Sequence, residues 1–177
     1  MLRRWKRVET AVFCENRWWA YNVDKFQIPD GLSGEYHYVH TNGSSMVIPV
    51  TNDGKMVLVN QFRYLGDRES LEFPCGSVEK GHSHLQTALL ELEQEAGYRA
   101  DEIREIGRFN PYNGVTDEFC AVFVADRLRS ATAKPDVTEE FELVYCTARQ
   151  LDDMVRDKVI WDGMTLAAWM LARHEVL

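Results

Sequence analysis

The stretch Leu71–Tyr98, LEFPCGSVEKGHSHLQTALLELEQEAGY, decides how this chain is read. Pro74 ends a strand, Gly76 and Gly81 mark a loop, and a helix follows. Ser83 caps that helix, and Gln86 three residues later completes a capping box. Leu85, Ala88, Leu89, Leu92 and Ala96 recur at helical spacing and predict one apolar face. Gly97 supplies the residue type that ends a helix in a left-handed turn. The helix also carries Glu91, Glu93 and Glu95. Glu91 and Glu95 are four apart, so their carboxylates lie one turn apart on one side. Like charges at that spacing repel mildly. A hard divalent cation converts that cost into a site, because Mg²⁺ favours carboxylate oxygens. On spacing alone, the commoner use of such a pair is a solvated acidic face.

Working outward, the residues before this stretch read as strands separated by turns. Val8–Phe13, Trp18–Ile28 and Glu35–His40 are predicted strands, with Pro29-Asp30-Gly31 as a turn after the second. Ser45–Val50 and Lys55–Gln61 flank Asn52-Asp53-Gly54, a strong hairpin signal. After the helix, Ile106–Phe109, Phe119–Ala125 and Glu142–Cys146 are predicted strands, and Ala131–Thr138 is a polar loop. Helices are expected over about Ala148–Arg156 and Met164–His174, the second capped by Asp162. Strands, helix, strands, then helices predict a mixed sheet with helices packed on it. No internal repeat, low-complexity segment or linker interrupts the pattern.

The 177 residues suit a single domain, and 45% hydrophobic against 27% charged is a globular balance. The chain starts MLRRWKRVET, which is basic but lacks the apolar core of a secretory signal. No apolar run approaches the roughly 20 residues of a membrane helix. A cytoplasmic protein without a membrane partner is the expectation. The formal net charge of −8 repels a phosphate backbone and argues against nucleic acid as a partner. The same charge means that a phosphate-bearing ligand needs a local cation, either a metal or an arginine. Cys14, Cys75, Cys120 and Cys146 are scattered, so a zinc site is not expected. Cys14, Cys120 and Cys146 lie in apolar strand-like runs and read as small buried hydrophobes.

The central stretch resembles the Nudix box, G-x5-E-x7-R-E-U-x-E-E-x-G-U, with U a bulky apolar residue. Gly76, Glu91, Leu92, Glu95 and Gly97 match it, and Tyr98 fills the last position. Three positions depart: His82 stands for the early Glu, Leu90 for the Arg, and Gln94 for the first Glu of the pair. The flanks resemble the ADP-ribose and nucleotide-sugar pyrophosphatases within that superfamily. These flanks are Val57–Tyr64, Glu72-Phe73-Pro74-Cys75-Gly76, Asn110–Glu118, Glu139–Glu142 and Asp162–Leu166, in the expected order. The resemblance runs from about Val8 to Arg173.

This resemblance implies a Nudix α/β/α sandwich, an α+β fold with a mixed sheet and an added N-terminal antiparallel sheet. It implies one domain over 1–177, with residues 1–42 forming dimer-building N-terminal strands and 43–177 the core. The implied reaction is hydrolysis of a nucleoside diphosphate linked to another group, such as ADP-ribose, using Mg²⁺ or Mn²⁺. Carried over residue by residue, Glu91 and Glu95 are the carboxylate ligands, and the backbone carbonyl of Cys75 is a third. Gly76 lets the loop approach the metal. Glu140 is the general base, with Glu139 the neighbour most easily confused with it. Arg63 grips the diphosphate, and its fork of donors suits phosphate oxygens. Trp18, Trp19 and Tyr36 are the N-terminal aromatics placed to stack on the base, often across a homodimer interface. His82 is either a substitute ligand or proton carrier, or an exposed loop histidine. The departures at His82, Leu90 and Gln94 leave a second outcome open: a catalytically impaired module that binds or senses a nucleotide sugar.

Overall fold

The computed structural model describes residues 2–133 and 140–176. They fall into two units, Met1–Asn42 with Asn110–Phe119, and Gly43–Phe109 with Cys120–Leu177.

The first unit is an antiparallel sheet of β1 (Lys6–Glu15), β2 (Ala20–Gln27) and β3 (Ser33–His40), in that order. Asn16 makes the first turn. Its side-chain oxygen accepts from the backbone N–H of Trp18 and Trp19 at 2.8 and 3.0 Å. That asparagine turn takes Trp18 and Trp19 out of the strand predicted from Trp18, and β2 starts at Ala20. Segment 110–119, which the sequence reading grouped with the core, is held to β3 by the Val39 N–H donating to Val115 O at 2.9 Å. Phe119 belongs to that segment and is 54% exposed, so it does not open the next strand. All of β1 is exposed, Cys14 included, against the expectation of a buried thiol.

The second unit holds two sheets. The first has β5 (Met56–Arg63) at its centre, flanked by β10 (Glu142–Cys146) and β6 (Arg68–Glu72). The second runs β7 (Cys75–Ser77), β4 (Ser44–Pro49), β9 (Cys120–Ser130), β8 (Tyr98–Phe109). β4 and β9 are parallel, and the other pairings are antiparallel. Strands β4, β5 and β9 are apolar on both faces because helices cover both. Met46, Ile48, Met56, Leu58, Val122 and Val124 pack with Leu151 of α2 (Ala148–Arg156) and Trp169 of α3 (Gly163–Ala172). Their alternates Val47, Val57, Ala121 and Phe123 pack with Ala88, Leu92 and Ala96 of α1 (His84–Gln94) and the turn after it. The period of two along each strand thus builds the α/β/α arrangement.

Two expectations shift in this unit, and one lies outside what the structure describes. β8 starts at Tyr98, eight residues earlier than the predicted strand, and pairs with β9 as far as Tyr98↔Ser130. On α1, Ala88 and Leu92 are buried, whereas Leu85 and Leu89 are 43% and 38% exposed. Helical spacing gives a stripe, but only its centre meets the strands. Residues 134–138 of the polar loop, and Glu139, lie outside the described residues.

Candidate active site

The local sequence of α1 sets two carboxylates against a tight loop. Ser83 Oγ accepts from Gln86 N at 3.2 Å, and Gln86 Oε1 accepts from Ser83 N at 2.8 Å, completing the predicted capping box. At the other end Gly97 takes φ 67° and its N–H donates to Glu93 O at 3.2 Å. Between these stops, Glu91 and Glu95 face β7.

β7 is only three residues long and is hung on β4 by Ser44↔Ser77, Ser45↔Gly76 and Met46↔Cys75. Val47 N donates to Pro74 O at 2.9 Å just before it, and Val78 N donates to Gly43 O at 2.9 Å just after it. The loop is therefore fixed on both sides. Glu95 is 6% exposed, and its Oε2 accepts the Cys75 N–H at 3.0 Å. A Cβ placed on Gly76 would lie 1.8 Å from Glu91 Oε1, so the carboxylate occupies the space a side chain would need. Glycine is required here by approach, not by backbone angle. Glu91, Glu95 and the Cys75–Gly76 backbone form one group.

The Cys75 side chain turns to the core. Its thiol is pushed well above its ordinary range by a hydrogen bond with Cys120 and by burial, with Glu95 and Glu91 adding to the shift. A neutral thiol is a poor metal ligand, so any contribution from this residue comes from its main chain. Among the described residues, no three or more His, Cys, Asp or Glu side chains gather as a metal cage. The donors present are two carboxylates and backbone oxygen. They fit a hard divalent cation that completes its shell with water and substrate oxygens.

Arg63, at the end of β5, is placed by a partner that the sequence reading named without assigning a role. Its Nε donates to Glu72 Oε1 at 2.8 Å, and its Nη2 donates to Glu72 Oε2. Gln61 Nε2 also donates to Oε2, at 3.4 Å. Glu72 is 2% exposed. The contact with Glu72 raises the guanidinium pKa further, against burial. An arginine on a buried carboxylate is fixed in direction, and Arg63 is still half-exposed toward an incoming anion. Arg63→Ala is expected to cost about 2 kcal/mol, less than the roughly 3–5 of a fully buried pair because Arg63 is half-exposed. Arg63→Lys keeps the charge without the fork and recovers part of the loss. Urea midpoints of the three proteins check this.

The remaining sequence-derived residues have surroundings of their own. His82 is exposed, and its N–H closes a turn on Glu79 O at 3.0 Å. Gln94 is half-buried on α1. Glu140 is exposed and stands two residues before β10, which pairs with β5 from Glu142↔Asn60 onward. Trp18, Trp19 and Tyr36 belong to the first unit, 57%, 43% and 39% exposed. Arg17 lies 4.0 Å over the Trp18 ring, and Tyr36 OH donates to Gly114 O at 3.3 Å. Sequence reasoning missed the Glu72 clamp and the tether of His84 to β4 (Nδ1 to Ser44 O, 3.0 Å). A signal for the second was available, since His84 stands seven residues before Glu91 on the same helix face.

Known proteins resemble this chain in sequence and in fold. The NUDIX domain model matches residues 41–167. The chain is 32% identical over 148 residues to the ADP-ribose pyrophosphatase of Bacillus subtilis (strain 168), covering 82% of this chain and 80% of that one. It is 30% identical over 165 residues to the Methanol dehydrogenase activator of Bacillus methanolicus, covering 92% and 89%. The crystal structure of an ADP compounds hydrolase superposes with a TM-score of 0.86 at 18% identity, covering 99% of this chain and 96% of that one. That likeness establishes the fold, and the family match extends over most of the sequence. The chain belongs to the NUDIX domain family.

Proposed function

We propose that this Nudix-type pyrophosphatase hydrolyses the diphosphate of ADP-ribose or a similar nucleotide sugar, giving a nucleoside monophosphate and a sugar phosphate. The observation that carries the reading is the convergence of Glu91 and Glu95 on the fixed Cys75–Gly76 loop. The name of the Bacillus subtilis relative points to the substrate class. Glu91, Glu95 and the Cys75 carbonyl would hold Mg²⁺ or Mn²⁺. Such a cation supplies positive charge to the diphosphate and makes a water molecule more acidic. Arg63, held by Glu72 through Nε and Nη2, offers its remaining N–H donors to the diphosphate and offsets charge developing on its oxygens. Glu140 accepts the water's proton. Trp18, Trp19 and Tyr36 of the first unit present exposed aromatic faces of the kind that stack on a nucleobase.

A second copy of the chain covers β1 and the residue before it, where Trp5, Val8, Val12 and Phe13 are all more than half exposed. A homodimer then results, and light scattering reads its mass directly. No helix among the described residues is long and apolar enough to cross a membrane. Four free cysteines suit a reducing cytoplasm.

One panel tests the reaction: ADP-ribose, other nucleotide sugars and dinucleotides, each with and without Mg²⁺ or Mn²⁺, with phosphate release read after phosphatase coupling. Metal-dependent turnover of a nucleotide sugar is expected. Ligand binding without turnover under every metal condition would instead mark a non-catalytic binding module. Gln94→Glu combined with Leu90→Arg is expected to raise kcat about tenfold, the scale of supporting contacts around a metal. Leu90 is 41% exposed, so an arginine has room. Lower activity and weaker metal binding in this variant would show a site rebuilt around Gln94.

A further inference from the structure

We infer that His84 is a positioning residue that sets the metal-binding face of α1, doing so from the helix's first turn. This rests on the reading of Glu91 and Glu95 given above.

His84 is the first residue of α1, and its side chain is half-buried. Its Nδ1 lies 3.0 Å from the Ser44 carbonyl oxygen and 3.1 Å from Ser45 Oγ. A carbonyl only accepts, so Nδ1 carries the proton and donates, with the hydroxyl as a second acceptor. Ser44 and Ser45 are 5% and 0% exposed, so this contact is made inside the fold. Ser45 is also the β4 residue paired with Gly76. One imidazole therefore ties the start of the helix to the strand position beside the loop that Glu91 touches.

Helical period places His84, Glu91 and Glu95 at i, i+7 and i+11 on one face. At the far end Glu95 accepts the Cys75 N–H. The helix is thus pinned to the β4–β7 pair at both ends, and the Glu91 carboxylate lies between the pins. A metal site demands this, because a displacement of an ångström at a ligand costs far more than the contact that prevented it. The departures from the Nudix box give the tether its importance. Position 90 is an exposed leucine, and position 82 is an exposed histidine whose N–H closes a turn on Glu79.

Glu105, paired with Arg108 on β8, is also near the imidazole. Arg108 first, and His84 after it, hold the Glu105 carboxyl below its usual range. Both the neutral ring in this tautomer and the protonated ring keep the Nδ1–H donor. The tether therefore does not depend on His84 releasing a proton.

The test is Mn²⁺ binding, read by electron paramagnetic resonance, with kcat and KM for ADP-ribose alongside. The proteins are wild type, His84→Ala, His84→Asn, His84→Gln and Glu95→Gln. Asparagine presents an N–H where Nδ1 stands, and glutamine presents one nearer Nε2. His84→Ala and His84→Gln are expected to weaken Mn²⁺ binding about tenfold and lower kcat similarly, with KM little changed. His84→Asn is expected to recover both to within about threefold, with the same pH profile as wild type. Wild-type Mn²⁺ binding in His84→Ala, or an asparagine variant as weak as alanine, overturns the inference. So does loss in His84→Asn of one limb of the pH profile, which would make His84 a proton carrier. Unaltered Mn²⁺ binding in Glu95→Gln would overturn the underlying site reading instead, and so separates the two failures. If His84→Ala does not fold, the asparagine and glutamine pair carries the same decision.

Discussion

Replacing Gly76 by alanine is expected to cut kcat/KM for ADP-ribose about 100-fold and to weaken the response to Mg²⁺ or Mn²⁺. The added methyl would lie 1.8 Å from Glu91 Oε1, and no rotation of the methyl relieves that. Either Glu91 swings away or β7 separates from β4. The second is resisted by the backbone bonds on both sides of the loop, Val47 to Pro74 and Val78 to Gly43. Glu91 therefore yields, and a ligand displaced by an ångström or more costs on the order of 100-fold. Stability falls by only about 1–3 kcal/mol, the usual cost of overpacking. Steady-state kinetics across a metal titration, with a thermal melt as control, check both parts. Wild-type activity in Gly76→Ala would show that Glu91 has no work to do where it lies.

Glu95→Gln is expected to abolish measurable turnover, at least about a 100-fold loss, while moving the thermal midpoint little. The substitution keeps the shape and the oxygen that accepts from Cys75 N, so the loop remains attached. Only the charge is removed. Losses around metal sites reach about 10–100-fold even for residues that merely support the ligands, and a ligand's own charge contributes more. Burial sharpens the contrast. Glu95 is 6% exposed, so the carboxamide stays in the same packed position with its contact to the loop. A large fall in stability with turnover retained would make Glu95 a structural residue.

These two residues show what was legible in the sequence. The capping box, the glycine stop and the four-residue spacing located α1 and put Glu91 and Glu95 on one face, because those signals are local. The Asn52-Asp53-Gly54 turn was legible for the same reason, but the strands it joins, β4 and β5, go to different sheets and meet at the Val50↔Met56 bridge. Contacts between distant segments were not legible. The clamp of Glu72 on Arg63 joins neighbouring strands through a side-chain orientation that no spacing encodes. The His84 tether spans forty residues to Ser44. Leu85 and Leu89 fit the apolar stripe but are exposed, since the width of the covered face depends on the strands beneath. Trp18 and Trp19 fit a strand by composition, and Asn16 overrides that with two hydrogen bonds. The role of Glu140 came from resemblance alone, and its neighbour Glu139 lies outside the described residues.

The most direct measurement is a crystal structure with Mn²⁺ and a non-hydrolysed nucleotide sugar, located by anomalous scattering. A manganese peak bonded to carboxylate oxygens of Glu91 and Glu95 and to the Cys75 carbonyl, with the diphosphate beside it, is expected. A peak elsewhere, or no peak with both carboxylates turned to solvent, would contradict it.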